Sequence, residues 1–389
     1  MSPSKTPARK RSQATIGVHS EGSRTAGSPV VQPIVQSATF HWADPSDGDL
    51  LYTRWTNNPN QVEVARKVAA LESMEAAIAL GSGMGAIAST LLALTKAGDH
   101  VAASSLLYGG THTLIATELP RRGVETTFVD PCEGDWEAAI RPETRVVYLE
   151  LPTNPTMRVP DPRPVVELAH SKGITVVADV TFASPVNLRA GSIGVDVVVH
   201  SATKYLGGHA DIIAGVAAGP RTIIDEVNRV SRFYGAVLDP HTAWLLDRGL
   251  RTLDLRVRRH NENAGRVAEW LSLQEGVARV DYPGLPSHPD HSVAKELLDG
   301  FGGMVGVVLK GGGSAADRFV SALEIAIAAP SLGGVETLVS QPRYTSHVGL
   351  SVEEREAGGV PDGFVRLSIG IEDPDDLIAD FEQALAAAG

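Results

Sequence analysis

A chain of 389 residues, 43% apolar and 21% charged, is long enough for two packed domains and too apolar to be disordered. Its 34 basic and 46 acidic side chains give a net charge of -12, which disfavours nucleic acid or an anionic membrane surface as the main partner. Cys132 is the only cysteine, which excludes an internal disulfide and a cysteine-based metal cluster and fits a reducing, cytoplasmic compartment.

The amino terminus carries Lys5, Arg9, Lys10 and Arg11 but no apolar stretch of the kind a secretory signal needs. It reads as a basic tail, disordered over about the first fourteen residues. Nowhere does an apolar run reach the length that spans a bilayer. Residues 30–40 and 44–51 are turn-rich and interrupted by Pro33, so 1–51 is expected to be an arm that leans on something else. Tyr52 and Arg54 follow, two residues apart in a loop, where an extended backbone puts both side chains on one face. A guanidinium and a phenol so placed suit a phosphate, although the loop alone suits an ordinary surface equally well.

Residues 61–80 have helical spacing and run into Gly81-Ser82-Gly83-Met84-Gly85, after which a helix is expected over 86–94. Glycines ahead of a helix amino terminus let backbone N–H groups approach a phosphate. The third glycine is misplaced for a dinucleotide fingerprint and no strand is read before it, so Ser82, Gly83 and Met84 are expected to form a plain phosphate cup.

From here strand and helix alternate, with strands expected over 100–105, 125–130, 145–151, 174–179 and 195–200. That is the pattern of a mostly parallel sheet covered on both faces, an α/β architecture. Polar residues collect at the strand ends: Tyr108 and Thr111, Glu150 and Asn154, Asp179 and Thr181, then Lys204. Taken singly, Asp179 suits a helix cap, Tyr108 a core aromatic and Asn154 a turn before Pro155. Those separate roles do not account for one shared rim.

Lys204 lies in His200-Ser201-Ala202-Thr203-Lys204-Tyr205-Leu206-Gly207-Gly208-His209, straight after the apolar run 195–199. Ligands bind at the carboxyl ends of strands in open α/β sheets, and a lysine there can form a Schiff base with pyridoxal 5'-phosphate. Ser201 and Thr203 can donate to the phosphate, Asp179 can pair with the pyridine nitrogen, Tyr108 can stack on the ring and move protons, and Asn154 can bond the phenolic oxygen. Beyond this, a helix over 261–273, strands over 304–310 and 364–369 and a closing helix over 377–387 indicate a smaller α+β unit. His288 and His291 flank Pro289 and Asp290 in what reads as a structured loop, and no metal is assigned. The division expected is thus an arm over 1–51, a cofactor domain over 52–250 and a carboxyl-terminal domain over 251–389.

These motifs resemble, in order along the chain, those of the pyridoxal-phosphate enzymes of cysteine and methionine metabolism. The resemblance runs from about Ala14 to the carboxyl end, and rests also on Asn58-Pro59, Tyr108-Gly109-Gly110-Thr111, Pro152-Thr153-Asn154-Pro155-Thr156, Ser331-Leu332-Gly333-Gly334 and Arg366-Leu367-Ser368-Ile369-Gly370. It implies the aspartate aminotransferase-like fold and a homotetramer of two active dimers, in which Tyr52 and Arg54 reach the cofactor phosphate of the neighbouring subunit. It further implies that Arg366 holds the substrate α-carboxylate, assisted by Ser331 and Asn154.

The activities implied are γ-elimination on a sulfur amino acid or, alternatively, γ-replacement; a catalytically silent cofactor-binding protein is the non-enzyme alternative. Intact Lys204, Asp179, Tyr108 and Arg366 favour an enzyme. Departures bear on the substrate: Val180 stands where the family often has Asn, Leu151 where Ser or Thr is usual, and Pro330 where Glu is frequent. Gly110 stands where many methionine γ-lyases have cysteine. Thr113 stands where members handling a distal carboxylate commonly have arginine, so Thr113 is expected to select against such substrates.

Overall fold

The computed structural model describes residues 11–19, 26–44, 46, 48–346, 348–349 and 351–389. Seven strands build the larger sheet: β1 (Ala76–Leu80), β2 (His100–Ser104), β3 (Glu125–Val129), β4 (Thr144–Glu150), β5 (Thr175–Asp179), β6 (Val197–His200) and β7 (Gly215–Gly219). They lie side by side in the order β1-β7-β6-β5-β4-β2-β3. From β3 to β6 every pairing is parallel, while β7 and β1 join as an antiparallel edge.

Strands buried on both faces should be continuously apolar, and the valine runs of β4, β5 and β6 are. The two faces are closed by different helices. Val64 and Val68 of the helix Pro59–Glu72 pack with Ala79, Val216 and Ala218, whereas Ile87 and Leu91 of the helix Gly83–Leu94 pack with Ile78, Leu80 and Ala217. Alternate residues of β1 and β7 thus face opposite layers, as the two-residue period of a strand requires.

A second sheet holds β8 (Val277–Asp281), β9 (Met304–Leu309), β10 (Ile327–Ala328), β11 (Leu338–Ser340) and β12 (Phe364–Ser368), in the order β10-β11-β12-β9-β8. The helices Gly312–Ala322 and Pro374–Ala388 cover it through Phe319, Leu377 and Phe381. The helix Leu253–Ser272 fastens the halves together: Val257 belongs to the core of the larger sheet, Val267 and Leu271 to that of the smaller.

Several expectations are corrected. The segment 61–80 is not one helix: the helix stops at Glu72, Ser73 turns left-handed at φ 58°, and β1 precedes the glycine cup. Ala-Ala-Ile-Ala-Leu has strong helix propensity, and pairing with β7 overrides it. The next helix starts at Gly83, not 86, because Ser82 caps it by accepting from the Gly85 N–H at 2.9 Å. The helix expected from 261 begins at Leu253.

The arm stays extended and leans where its polar groups find partners. Trp244 Nε1 donates to the Gln32 carbonyl at 2.8 Å and Asn60 Nδ2 to that of Pro33 at 3.0 Å. Most of the basic tail lies in residues 1–10, outside the described residues, but Gln13 and Ala14 are already in the helix Gln13–Val18, where Gln13 Nε2 donates to the Leu71 carbonyl at 2.7 Å. No helix among the described residues is long and apolar enough to cross a membrane.

Candidate active site

The carboxyl ends of β4, β5 and β6 open onto a cavity of about 600 Å³, walled on the far side by Ser331, Leu332 and Arg366 of the smaller sheet's layer. A hollow of about 620 Å³ beside residues 11–16 is as roomy, but it gathers no nucleophile or buried carboxylate. Chemistry, not volume, identifies the site.

Lys204 is presented by a tight turn after β6. The Lys204 N–H donates to the Ser201 carbonyl at 3.1 Å and the Gly207 N–H to that of Ala202 at 2.9 Å. Arg256, from the helix joining the halves, grips the far side, donating to the carbonyls of Tyr205 and Gly249 at 2.8 Å each. The lysine amine itself donates to Ser331 Oγ at 2.8 Å. Burial, seconded by the nearby Arg366 charge, pushes its pKa down to about 8, so a large share of the amine is a free nucleophile in mildly alkaline solution. In the cofactor-free protein, the rate at which a trace of acetic anhydride labels Lys204, followed by peptide mass spectrometry against pH, is expected to show a midpoint near 8. A midpoint near the ordinary lysine value would contradict this environment.

Asp179 ends β5 and Thr181 orients it, with the Thr181 N–H at 2.9 Å and its hydroxyl at 2.5 Å both donating to Oδ1. Burial raises the carboxyl's pKa, while the Thr181 bonds and the neighbouring His200 work against that rise. Thr181 Oγ1 also accepts from the Ser201 N–H at 2.9 Å, tying the Asp179 strand end to the Lys204 turn.

Arg366 of β12 reaches the cavity almost fully buried. It donates to Asn154 Oδ1 and to the Ser331 carbonyl, each at 3.0 Å, and its Nε has no partner. Burial lowers its pKa to about 10. A buried guanidinium held only by neutral oxygens is an anion site awaiting its anion. Ser331 sits at φ 114°, a left-handed backbone that a side chain rarely adopts, so strain is held at the point where lysine and arginine meet.

The cup at Ser82, Gly83 and Met84 faces the same space. Ser82 serves Gly85, leaving the first N–H groups of the helix Gly83–Leu94 without intrahelical partners. A Cβ on Gly83 would stand 2.7 Å from Ser201 Cβ, so glycine is what lets this helix end approach the Ser201 turn. Tyr108 lies with its ring half exposed, and a Cβ on Gly110 would come within 2.7 Å of that ring. A cysteine at 110 therefore cannot coexist with this ring position.

An amine, an oriented buried carboxylate, an exposed phenol ring, a helix amino terminus with hydroxyls and a buried guanidinium held only by neutral oxygens fit the aldehyde, pyridine nitrogen, ring and phosphate of pyridoxal phosphate plus the carboxylate of an amino acid. Of the residues singled out from sequence, the cavity lining includes Ser82, Gly83, Met84, Tyr108, Asn154, Asp179, Thr181, Ser201, Thr203, Lys204, Ser331 and Arg366. Thr111, Tyr52, Arg54 and Thr113 lie elsewhere. Tyr52 and Arg54 bracket a short turn, where Arg54 donates to the Arg232 carbonyl at 2.8 Å and stands 5.5 Å from the Tyr52 ring centre.

Thr113 is exposed at the end of the helix Gly109–Thr113 and does not line the cavity, because that turn points its side chain to the surface. His288 Nδ1 accepts from the Asp290 N–H at 3.2 Å, and Asp290 holds Arg158 through both oxygens. Glu150, which the sequence showed at a strand end without suggesting a task, lines the cavity beside Asp179. Its position at the end of the strand next to Asp179 was the available signal.

A family model described as Cys/Met metabolism PLP-dependent enzyme matches residues 14–386. An L-methionine gamma-lyase of Fusobacterium nucleatum subsp. polymorphum is 40% identical over 390 residues, covering 97% of this chain and 98% of that protein. A cystathionine gamma-lyase of Saccharomyces cerevisiae is 39% identical, covering 96% and 97%. The crystal structure of a cystathionine gamma-lyase from Lactobacillus plantarum complexed with L-serine superposes with a TM-score of 0.92 at 35% identity, over 97% of this chain and 99% of that one. Motifs, cavity chemistry and end-to-end similarity converge: this chain belongs to the pyridoxal-phosphate-dependent enzymes of cysteine and methionine metabolism.

Proposed function

We propose that this enzyme carries out γ-elimination on a sulfur amino acid whose γ-substituent is uncharged, of the methionine class, giving 2-oxobutyrate, ammonia and a thiol. The observation that carries the choice is the charge inventory of the cavity: among the described residues its only cations are Lys204 and Arg366. The first is needed by the cofactor and the second by the α-carboxylate. Around them stand Ile87, Phe182, Ile213 and Leu332, which suit a thioether and offer nothing to a second carboxylate. Selection against charged substrates thus rests on the missing third cation. The relatives named for γ-elimination support the reaction class.

Bound at this site, pyridoxal phosphate supplies the electron sink that stabilises negative charge at the substrate Cα. Arg366 fixes the α-carboxylate, with Asn154 and Ser331 orienting the guanidinium. The Lys204 amine would take the proton from Cα, pass it on to the bound cofactor and so be free again to take the one from Cβ, while Tyr108 would deliver a proton to the departing sulfur. Asp179 keeps the pyridine nitrogen protonated.

Kinetics across methionine, cystathionine, homocysteine and O-acetylhomoserine, with products identified, test the proposal. Methionine is expected to exceed cystathionine in kcat/KM. An unpaired charged group forfeits about 1.5–3 kcal/mol, roughly tenfold to a hundredfold. Strong preference for cystathionine, or turnover only when a second thiol is added, would replace this reading with ordinary cystathionine cleavage or γ-replacement.

We also propose a cytoplasmic homotetramer of active dimers in which Tyr52 and Arg54 serve the partner's phosphate; their position away from this chain's own cavity supports it. Arg54→Ala is expected to weaken cofactor retention and subunit association together, read by dialysis and analytical ultracentrifugation. Unchanged retention and an unchanged assembly would remove the shared site.

A further inference from the structure

One buried acid at the site has no task in the chemistry above. Glu150 and Asp179 are direct partners in the register of β4 and β5, each only 5% exposed, and no Lys, Arg or His forms an ion pair with either among the described residues. The surroundings are specific. On β4 the buried phenol of Tyr148 feels both carboxyls. At the end of β6, His200 acts on Asp179 while its Nε2 lies 2.6 Å from Glu72. Across the cavity, Arg366 approaches only through Asn154 Oδ1. Lys204 is engaged with Ser331.

Two adjacent carboxyls in a buried site cannot both ionise without a cation between them. Asp179 has the better claim to the charge, with two donors from Thr181 on one oxygen and His200 nearby. Glu150 bears its own burial and the repulsion of Asp179, which push it well above the usual carboxylate range despite two backbone donors. Those donors matter: the Tyr108 N–H reaches Oε2 at 2.7 Å and the Asn154 N–H reaches Oε1 at 3.0 Å. One side chain therefore anchors both the loop bearing the stacking phenol and the loop bearing the residue that holds Arg366.

We propose that Glu150 is a proton-holding positioning residue, protonated in the cofactor-free chain because Asp179 is ionised beside it, and ionised once the pyridine nitrogen of pyridoxal phosphate pairs with Asp179. The O–H bond of Glu150 breaks, and its proton passes to the ring nitrogen if the ring enters neutral, or to water if the ring enters protonated. The nitrogen's positive charge cancels the repulsion from Asp179, leaving the two N–H donors to favour a charged Glu150. Hydrogen bonds to an ionised acceptor are shorter and about twice as strong as neutral ones. Loading the cofactor thus tightens the grip on Tyr108 and Asn154, and through Asn154 sets Arg366 for the substrate.

Infrared difference spectra of the full-length protein, cofactor-free against loaded with pyridoxal phosphate, test this without any turnover. A protonated-carboxyl band is expected before loading and lost after it, moved by carbonyl-¹³C glutamate and not by labelled aspartate. Glu150→Gln, where it still binds cofactor by absorbance, is expected to lack that glutamate-labelled loss. Absence of the band before loading, its persistence after loading, its assignment to aspartate, or its survival in Glu150→Gln would each overturn the proposal. It rests on the family's cofactor and not on which amino acid is cleaved, so a failed methionine assay leaves it standing.

Discussion

Lys204→Ala is expected to fold normally and to turn over no sulfur amino acid, a loss of at least about 10³-fold given that positioned acid–base groups alone contribute about 10²–10⁴. The turn around it is held by main-chain bonds and by Arg256, none of which involves the lysine side chain. Its amine is in fact a burden on the cofactor-free fold. Burial lowers its pKa to about 8, below the unfolded value, so between those two values the unfolded chain binds more protons and stability falls as pH falls. Below about 8 the penalty is fully present. The alanine variant should therefore melt no lower than the parent at neutral pH when both are cofactor-free, as calorimetry can show. Turnover near the parent rate would remove Lys204 from the chemistry.

Asp179→Ala is expected to weaken cofactor retention by roughly 10²- to 4×10³-fold, with activity falling further in whatever cofactor remains bound. Stripping one partner from a buried ion pair costs about 3–5 kcal/mol, which sets that range. The variant also frees the Thr181 N–H and hydroxyl that now converge on Oδ1, so the Ser201 turn, bonded to the same Thr181, should loosen as well. Equilibrium dialysis of pyridoxal phosphate against parent and variant measures the first effect. Retention within a factor of a few would mean that Asp179 does not face the pyridine nitrogen.

The rim residues were legible because strand ends in a parallel sheet face one way: knowing where β4, β5 and β6 stop was enough to gather Asn154, Asp179 and Lys204. The two antiparallel strands β1 and β7 were not legible. β1 is mostly alanine and β7 mostly alanine and glycine, whose local preferences say helix or nothing, and only their antiparallel pairing across a long stretch of chain makes them strands. That pairing also brings the cup into place, since a Cβ on Gly215 would stand 2.0 Å from the Ser82 carbonyl oxygen.

The exposure of Thr113 was not legible for a related reason: spacing along a short helix does not say which of its sides turns inward. Glu150 was visible, but its significance depends on lying opposite Asp179 in register and on receiving two main-chain N–H groups, and no one-dimensional pattern carries that.

The most direct measurement of γ-elimination is the fate of the substrate's former γ-carbon. Loss of the thiol leaves that carbon one hydrogen short, and a proton from solvent-exchanged groups of the site must fill the place before 2-oxobutyrate is released. With L-methionine in heavy water, the 2-oxobutyrate formed should carry one deuterium in its terminal methyl group, in an amount equal to the methanethiol released. A methyl group free of solvent deuterium, or pyruvate in place of 2-oxobutyrate, would contradict γ-elimination at this site.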